Sequence, residues 1–190
     1  MNQAFGQCSL YLCPDQHDFM PGDILSFISA LQDINFISQT INTKVSDYRF
    51  FTGNNFLDYI AYMGCAPAIQ FEASPNGRDD NSDFCFIKIH HYESAQLIYS
   101  HKQARAPHCP QCNKQASNWQ QNKTSTAILC NHCHASSNIE EFNWRKMAGY
   151  AQLFIEITDI FPKEAIPQQL LLDKLANISD TDWQYFYSCK

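Results

Sequence analysis

Four cysteines form two C-x-x-C pairs, and their spacing constrains the fold more than any other feature of the chain. The pairs are Cys109 with Cys112 and Cys130 with Cys133, and seventeen residues separate them. This spacing is typical of structural zinc sites. In each short turn two sulfurs converge and backbone N–H groups point at them, so a hairpin that joins two turns supplies a closed tetrahedral site. The sequence therefore predicts a structural Zn²⁺ bound by these four thiolates.

Residues 108–134 resemble the zinc ribbons, and the resemblance is confined to this segment. Ribbons often place glycine directly after the second cysteine of each turn, where φ tends to be positive. Here the two positions hold Asn113 and His134, of which asparagine adopts that conformation more readily. His108, His132 and His134 all lie beside the cysteines, and one of them could replace a cysteine as a ligand. The resemblance implies structural zinc and binding of a protein or of nucleic acid, the latter as in transcription or translation.

Three other chemistries fit part of the cysteine pattern. The Cys109–Cys112 segment is similar to the dithiol of glutaredoxin-like redox proteins, which opens a helix after a strand. His91 and Glu93 resemble the signature of zinc deaminases, in which His91 would bind zinc with the first cysteine pair and Glu93 would transfer protons. Both interpretations leave the second pair without a role, and the deaminase motif has proline where this chain has His108. Four thiolates also bind iron, which the spacing does not exclude.

The charge of the chain is unevenly distributed. The net charge is −6, composed of −7 in residues 1–100, +4 in residues 101–134 and −3 in residues 135–190. An acidic chain with one basic segment argues against broad electrostatic binding to DNA or to anionic membranes, but it permits a small contact. The candidate contacts are the four basic residues of this segment and its one large aromatic residue: Lys102, Arg105, Lys114, Trp119 and Lys123.

Trp119 decides between two interpretations of the basic segment. It either packs on the rest of the protein or is exposed, where it would stack on a base or anchor in a protein partner. Four thiolates and Zn²⁺ together carry −2, which reduces the +4 of the segment to about +2. Because this charge is weak for nucleic-acid binding, we expect a protein partner first and nucleic acid as the alternative. The sequence does not indicate an oligomeric state.

The sequence favours a non-catalytic protein. It contains no G-x-S-x-G, no H-E-x-x-H and no glycine-rich phosphate loop. The longest nearly apolar run, Ile24–Leu31, is too short to span a membrane, and no membrane association is expected. Nine cysteines cannot form a complete disulfide set, and the N-terminus has no basic leader. These features predict a cytoplasmic location.

The hydrophobic pattern predicts an α+β fold with a mainly antiparallel sheet and about three helices. Asp23 is a good N-cap for a first helix, residues 56–63 form a second that Gly64 ends, and Pro167 starts a third. We expect residues 1–100 and 135–190 to form one core domain and residues 101–134 to be a zinc-ribbon insert. Strands are predicted at 5–12, 36–42, 44–51, 68–73, 84–92 (paired as a hairpin with 96–100), 151–161 and 183–187.

Overall fold

The computed structural model of the protein describes residues 8–41, 48–63, 69–71, 84–100, 105–121, 123, 126–160 and 162–189. Its centre is a six-stranded sheet whose strand pairs are all antiparallel, and three helices accompany it. The α+β prediction is confirmed. We call the described residues from 105 to 148 the metal module, and the rest of the described chain the body.

The central sheet has the order β10-β1-β8-β5-β3-β2, and two small sheets pair β4 with β9 and β6 with β7. Because β5 and β8 are the longest strands and neighbours, they hold together the two ends of the metal module, which lies between them in sequence. The strands are β1 (Cys8–Pro14), β2 (Ile37–Thr40), β3 (Arg49–Thr52), β4 (Ile60–Tyr62), β5 (Ile87–Tyr99), β6 (Ala127–Leu129), β7 (Ser136–Asn138), β8 (Ala148–Thr158), β9 (Ala165–Pro167) and β10 (Trp183–Cys189).

The helices are α1 (Ile24–Asp33), α2 (Phe56–Tyr59) and α3 (Gln169–Ser179), with a short 3₁₀ turn at Ile139–Glu141. The predicted N-cap is confirmed, because the Asp23 carboxylate accepts hydrogen bonds from two N–H groups of the first turn of α1. The apolar sides of the helices pack on one face of the sheet. The main core cluster there includes Leu31 from α1, Leu171 and Leu175 from α3, and Ile155 from β8.

Two of the helix predictions are wrong at their boundaries. The second helix ends at Tyr59, and residues 60–62 form strand β4 instead of one further helical turn. Pro167 belongs to β9, opposite Ile60, and does not lie in the first turn of α3. Both errors have one cause, because each segment finds its strand partner about a hundred residues away. Gly64 lies outside the described residues.

The strand predictions also need corrections. Residues 84–92 and 96–100 do not form a hairpin; they lie in one strand, β5, which pairs with β8 along both halves. The β5–β8 pairing shifts register between His91 and Gln96, which is the segment where the sequence predicts a hairpin turn. The predicted strand at 68–73 lies mostly outside the described residues, and residues 69–71 are not in a strand.

The central sheet curls until the far ends of β5 and β8 approach β10. The hydroxyl of Ser100 donates a hydrogen bond to the Cys189 carbonyl (3.1 Å) and accepts one from its N–H (3.2 Å). Gly149 is pressed against β10, since a Cβ there would lie 2.3 Å from the Phe186 ring. The curl encloses a second face of the sheet, whose apolar cluster includes Tyr11 and Phe154. Both faces of the sheet are therefore packed.

Cys8 and Cys189, which are opposite each other on β1 and β10, form a disulfide. No feature of the sequence predicts this pairing. Because disulfides persist mainly in oxidising environments, this bond gives no support to the cytoplasmic location, which stays a prediction. None of the helices in the described ranges is long and apolar enough to cross a membrane.

Candidate metal centre

The two C-x-x-C turns have the same backbone geometry. In the first, the Asn113 N–H donates to the Cys109 carbonyl (2.9 Å); in the second, the His134 N–H donates to the Cys130 carbonyl (3.0 Å). The residue after each second cysteine has a left-handed backbone, with φ 55° at Asn113 and 58° at His134. These are the positions where ribbons often have glycine, so both residues adopt the conformation that the turn requires.

The four cysteine sulfurs, which come from Cys109, Cys112, Cys130 and Cys133, converge on one point. They all lie within 4.8 Å of one another, and the closest pairs join the two turns at 3.7 and 3.8 Å. Zinc binds thiolates at about 2.3 Å, and a tetrahedron of that size has sulfurs about 3.8 Å apart. The donor set and its spacing therefore fit a four-coordinate metal ion.

Backbone N–H groups favour the thiolate form at this site. The N–H of Gln111 donates to the Cys109 sulfur, and that of His132 to the Cys130 sulfur, each at 3.4 Å. Desolvation raises the pKa of Cys130, but hydrogen bonds from the N–H groups of Cys133 and His132, together with those from the Cys133 and Cys112 thiols, outweigh it and lower the pKa to about 7. Hydrogen-bond donors of this kind prepare a thiol to bind a cation.

The neighbouring thiols oppose the ionisation of all four cysteines at once. An N–H of Ala135 lowers the pKa of Cys133, but desolvation and hydrogen bonds with the three other thiols raise it to about 11. Four thiolates in this volume repel one another, and only a bound cation compensates for that repulsion. A metal ion that bound to these four sulfurs would therefore displace protons from them.

A small apolar core lies beside the cysteine cluster, and Trp119 is at its centre. The Trp119 ring meets the rings of Tyr99 and Trp144 edge to face, with centroids 5.0 Å apart in both contacts. The indole N–H of Trp144 donates to the Ile139 carbonyl at 3.0 Å. Since Tyr99 belongs to β5 and Trp144 precedes β8, this core joins the module to the body. The cluster extends past residue 134, where the predicted insert ends.

The structure distinguishes among the predicted contact residues. Trp119 is 4 % exposed, so the packing interpretation is correct and the indole offers no stacking surface. Arg105, Lys114 and Lys123 are exposed, as expected for contacts, but the structure does not test what they contact. Lys102 lies outside the described residues.

The residues of the alternative chemistries do not join the cluster. His91 lies on β5, where its ring contacts Tyr48, and the metal-binding group found among the described residues contains cysteines alone. The redox and deaminase interpretations both need Cys109 and Cys112 without the second pair, yet each of these sulfurs lies within 3.8 Å of a sulfur from that pair. The geometry is that of one four-ligand site.

A buried polar cluster on the curled sheet was not predicted. The Glu156 carboxylate, on β8, accepts a hydrogen bond from the Ser9 hydroxyl (2.8 Å) and contacts His90 Nε2 at 2.6 Å. Burial raises the pKa of Glu156, but the hydrogen bonds from His90, Ser9 and Tyr11 outweigh it and lower the pKa to about 2. Ser9 is 147 residues from its partner, so no local pattern in the sequence indicates the cluster.

This cluster has the wrong connectivity for a hydrolase. In the Ser-His-Asp arrangement the histidine lies between the serine and the acid and removes the serine proton. Here the carboxylate lies between Ser9 and His90, so the serine has no histidine base. Both carboxylate oxygens are occupied and Glu156 is 6 % exposed. The contacts fit a structural role in the sheet.

Comparison with protein-family models, with curated proteins and with solved structures found no match to this chain.

Proposed function

We propose that the protein is a non-catalytic binding protein in which Zn²⁺ at Cys109, Cys112, Cys130 and Cys133 is structural, and that the metal module contacts a protein partner. The observation that carries the proposal is the closed set of four sulfurs, with cross-turn distances of 3.7 and 3.8 Å. Four thiolates fill the tetrahedral positions of zinc and leave none for a catalytic water or substrate. Zinc would hold the two turns together, and the chemistry of the ion would not be used.

The surface of the metal module supports a protein partner over nucleic acid. Burial of Trp119 removes the stacking group on which the nucleic-acid alternative depended. Leu129, on β6 next to Cys130, is 44 % exposed and offers an apolar contact beside the metal. The exposed charges at Arg105, Lys114 and Lys123 are too few for tight binding to phosphates at physiological salt.

Metal analysis tests the zinc assignment. We expect one zinc per purified chain by elemental mass spectrometry, and less than a tenth of that in Cys109→Ser or Cys133→Ser. Cys85→Ala is the matched control, since burial raises the pKa of Cys85 to about 12 and keeps this thiol out of metal chemistry. Iron in the place of zinc, or full zinc content in the serine variants, would contradict the proposal.

Site-specific photocrosslinking tests the partner. A photoreactive residue at position 129 of the zinc-loaded protein should crosslink to a protein, and chelation of the zinc should abolish the product. The same residue at position 174, an exposed site on α3, is the control. The opposing result is saturable binding of short oligonucleotides that weakens with salt and requires Lys114 and Lys123. That result would replace the protein partner with the nucleic-acid alternative.

A further inference from the structure

A second candidate site lies where the metal module meets the body, at a cavity of about 580 Å³. Its walls come from the start of the module, the turn before β8, the loop after β8, and β10. This volume is within the range of small-molecule sites, which is about 300–1,000 Å³. No acidic side chain lines the cavity among the residues that the structure describes. Four cations do line it: Arg105, Arg145, Lys146 and Lys163.

The concentration of positive charge at this cavity contrasts with the net charge of −6. In the described ranges, none of the four cations forms an ion pair with a carboxylate. The Arg145 guanidinium donates one hydrogen bond, to the Ala106 carbonyl at 3.2 Å, which holds it in place and leaves its other N–H groups without a protein partner in those ranges. The described wall of this cavity therefore carries four positive charges and no acidic side chain.

Three of these four cations have a strained backbone. Arg145, Lys146 and Lys163 have left-handed backbones, with φ 51°, 59° and 72°. This conformation is uncommon for residues other than glycine, asparagine and aspartate, because the Cβ crowds the backbone. Three strained cations around one cavity fit the general tendency of strain to persist at functional sites.

Tyrosine side chains supply the aromatic part of the cavity wall. Tyr185 and Tyr187 project from β10 with their rings edge to face, 6.0 Å between centroids. The Lys146 ammonium lies 3.8 Å from the centroid of the Tyr185 ring, and it donates a hydrogen bond to the Tyr185 hydroxyl. Cations that adjoin aromatic rings in one cavity suit a ligand with an anionic group and a planar ring.

We infer that this cavity binds a nucleotide, with the phosphate on the cations Arg105, Arg145, Lys146 and Lys163 and the base along the wall formed by Tyr185 and Tyr187. Two planar guanidinium groups and two lysine ammonium groups match a phosphate, whose oxygens accept several charge-assisted hydrogen bonds. The nucleotide is either free or at the phosphorylated end of a strand, because both present the same phosphate and base. The inference goes beyond the proposed function and does not depend on the partner of the metal module.

Calorimetric titration of the zinc-loaded, full-length protein tests the inference. We expect AMP to bind at least tenfold more tightly than adenosine, which lacks the phosphate, and than inorganic phosphate, which lacks the base. Lys163→Gln and Arg105→Gln each remove one exposed cation of the cavity, so both variants should fold normally. Each should weaken AMP binding about tenfold, the usual effect of losing one charged hydrogen bond.

Lys174→Gln is the matched control, since it removes an exposed lysine of α3 that does not line the cavity. It should leave AMP affinity unchanged. The inference is overturned if AMP does not bind, if the control weakens binding as much as the cavity variants, or if inorganic phosphate binds as tightly as AMP. The zinc content of every variant is measured as well, so a failure of the nucleotide inference can be distinguished from a failure of the zinc assignment.

A pair of oligonucleotides distinguishes the two sources of the nucleotide. A short strand with a 5′-phosphate should bind more tightly than AMP if a strand end is the ligand, and no more tightly if a free nucleotide is the ligand. Either result supports the phosphate and base chemistry of the cavity. Equal binding of the same strand without its 5′-phosphate would overturn it.

Discussion

The body and the metal module are stabilised in different ways. Among the described residues, the main core of the body buries 22 side chains, whereas the core of the module buries nine, of which two are the candidate ligands Cys109 and Cys130. Burial of apolar side chains on the scale of the body core is the usual source of stability for a domain. A cluster as small as that of the module rarely suffices alone. The contrast indicates that the module depends on a cross-link, which the bound metal would provide, and that the body does not.

Removal of the metal should have the largest effect, and it should act on the metal module alone. Structural zinc contributes an apparent free energy of about 10–16 kcal/mol in small zinc-binding domains. After chelation, or in Cys130→Ser, backbone amides of the metal module should lose protection from hydrogen exchange, while β1, β8 and α3 of the body keep theirs. Mass-spectrometric exchange resolves the two regions.

The same experiment has one outcome that would contradict this expectation, and it has a matched control. Loss of protection in β1 and α3 would contradict the independence of the body and make the module part of one folding unit. Cys85→Ala treated with the same chelator controls for the loss of a thiol, because Cys85 is buried in the body core away from the cluster.

Substitution of Trp119 tests what the module contributes besides its metal. Trp119→Ala leaves a cavity between the rings of Tyr99 and Trp144 and should cost about 3–5 kcal/mol. Chemical denaturation should show this loss as a lower free energy of unfolding, because the module then packs less well against β5 and β8. Zinc should still bind at high zinc concentration. Gln120→Ala, at the exposed neighbouring position, should change stability by less than about 0.5 kcal/mol. If both variants are equally stable, the aromatic contacts do not hold the module.

Acid should act on the body through Glu156. Its pKa is about 2 in the folded protein and about 4.5 in an ordinary environment, so its contribution is complete above pH 4.5 and disappears as the pH falls towards 2. The contribution is about 3 kcal/mol at most. Urea denaturation at pH 5.5 and pH 3 should show a larger loss for the wild type than for Glu156→Gln.

The comparison with Glu156→Gln isolates this carboxylate because any release of zinc in acid affects both proteins. Glu164→Gln removes an exposed acid and should retain the full pH dependence of the wild type. An equal loss in the wild type and in Glu156→Gln would show that the hydrogen bonds from His90 and Ser9 do not stabilise the sheet.

The sequence predicts those features whose cause is local. The cysteine spacing identifies all four residues of the cluster, since each pair needs only a two-residue turn with a left-handed residue after it. Asp23 caps α1 because its carboxylate reaches N–H groups two and three residues away. In both cases the residues that determine the geometry are adjacent in the chain.

Features that depend on distant partners were missed. The strand at Ile60–Tyr62 exists because β9 pairs with it, and β5 passes through the polar residues near Glu93 because β8 supplies a partner on both sides. The polar cluster at Glu156 and the cavity lined by Arg105 and Lys163 likewise assemble from segments far apart in sequence. Periodicity within a segment carries no information about these partners.

The pairing of β5 with β8 has a consequence for chain entropy. Tyr99 lies opposite Ala148, so the sheet fixes the two ends of the metal module side by side. The entropic cost of closing a loop rises only with the logarithm of its length, so replacing the whole module with a short turn would change that cost by about 2 kcal/mol. We therefore expect the strand pair to tolerate an insertion at this point, and to raise the effective concentration of the two cysteine turns for each other before a metal ion binds.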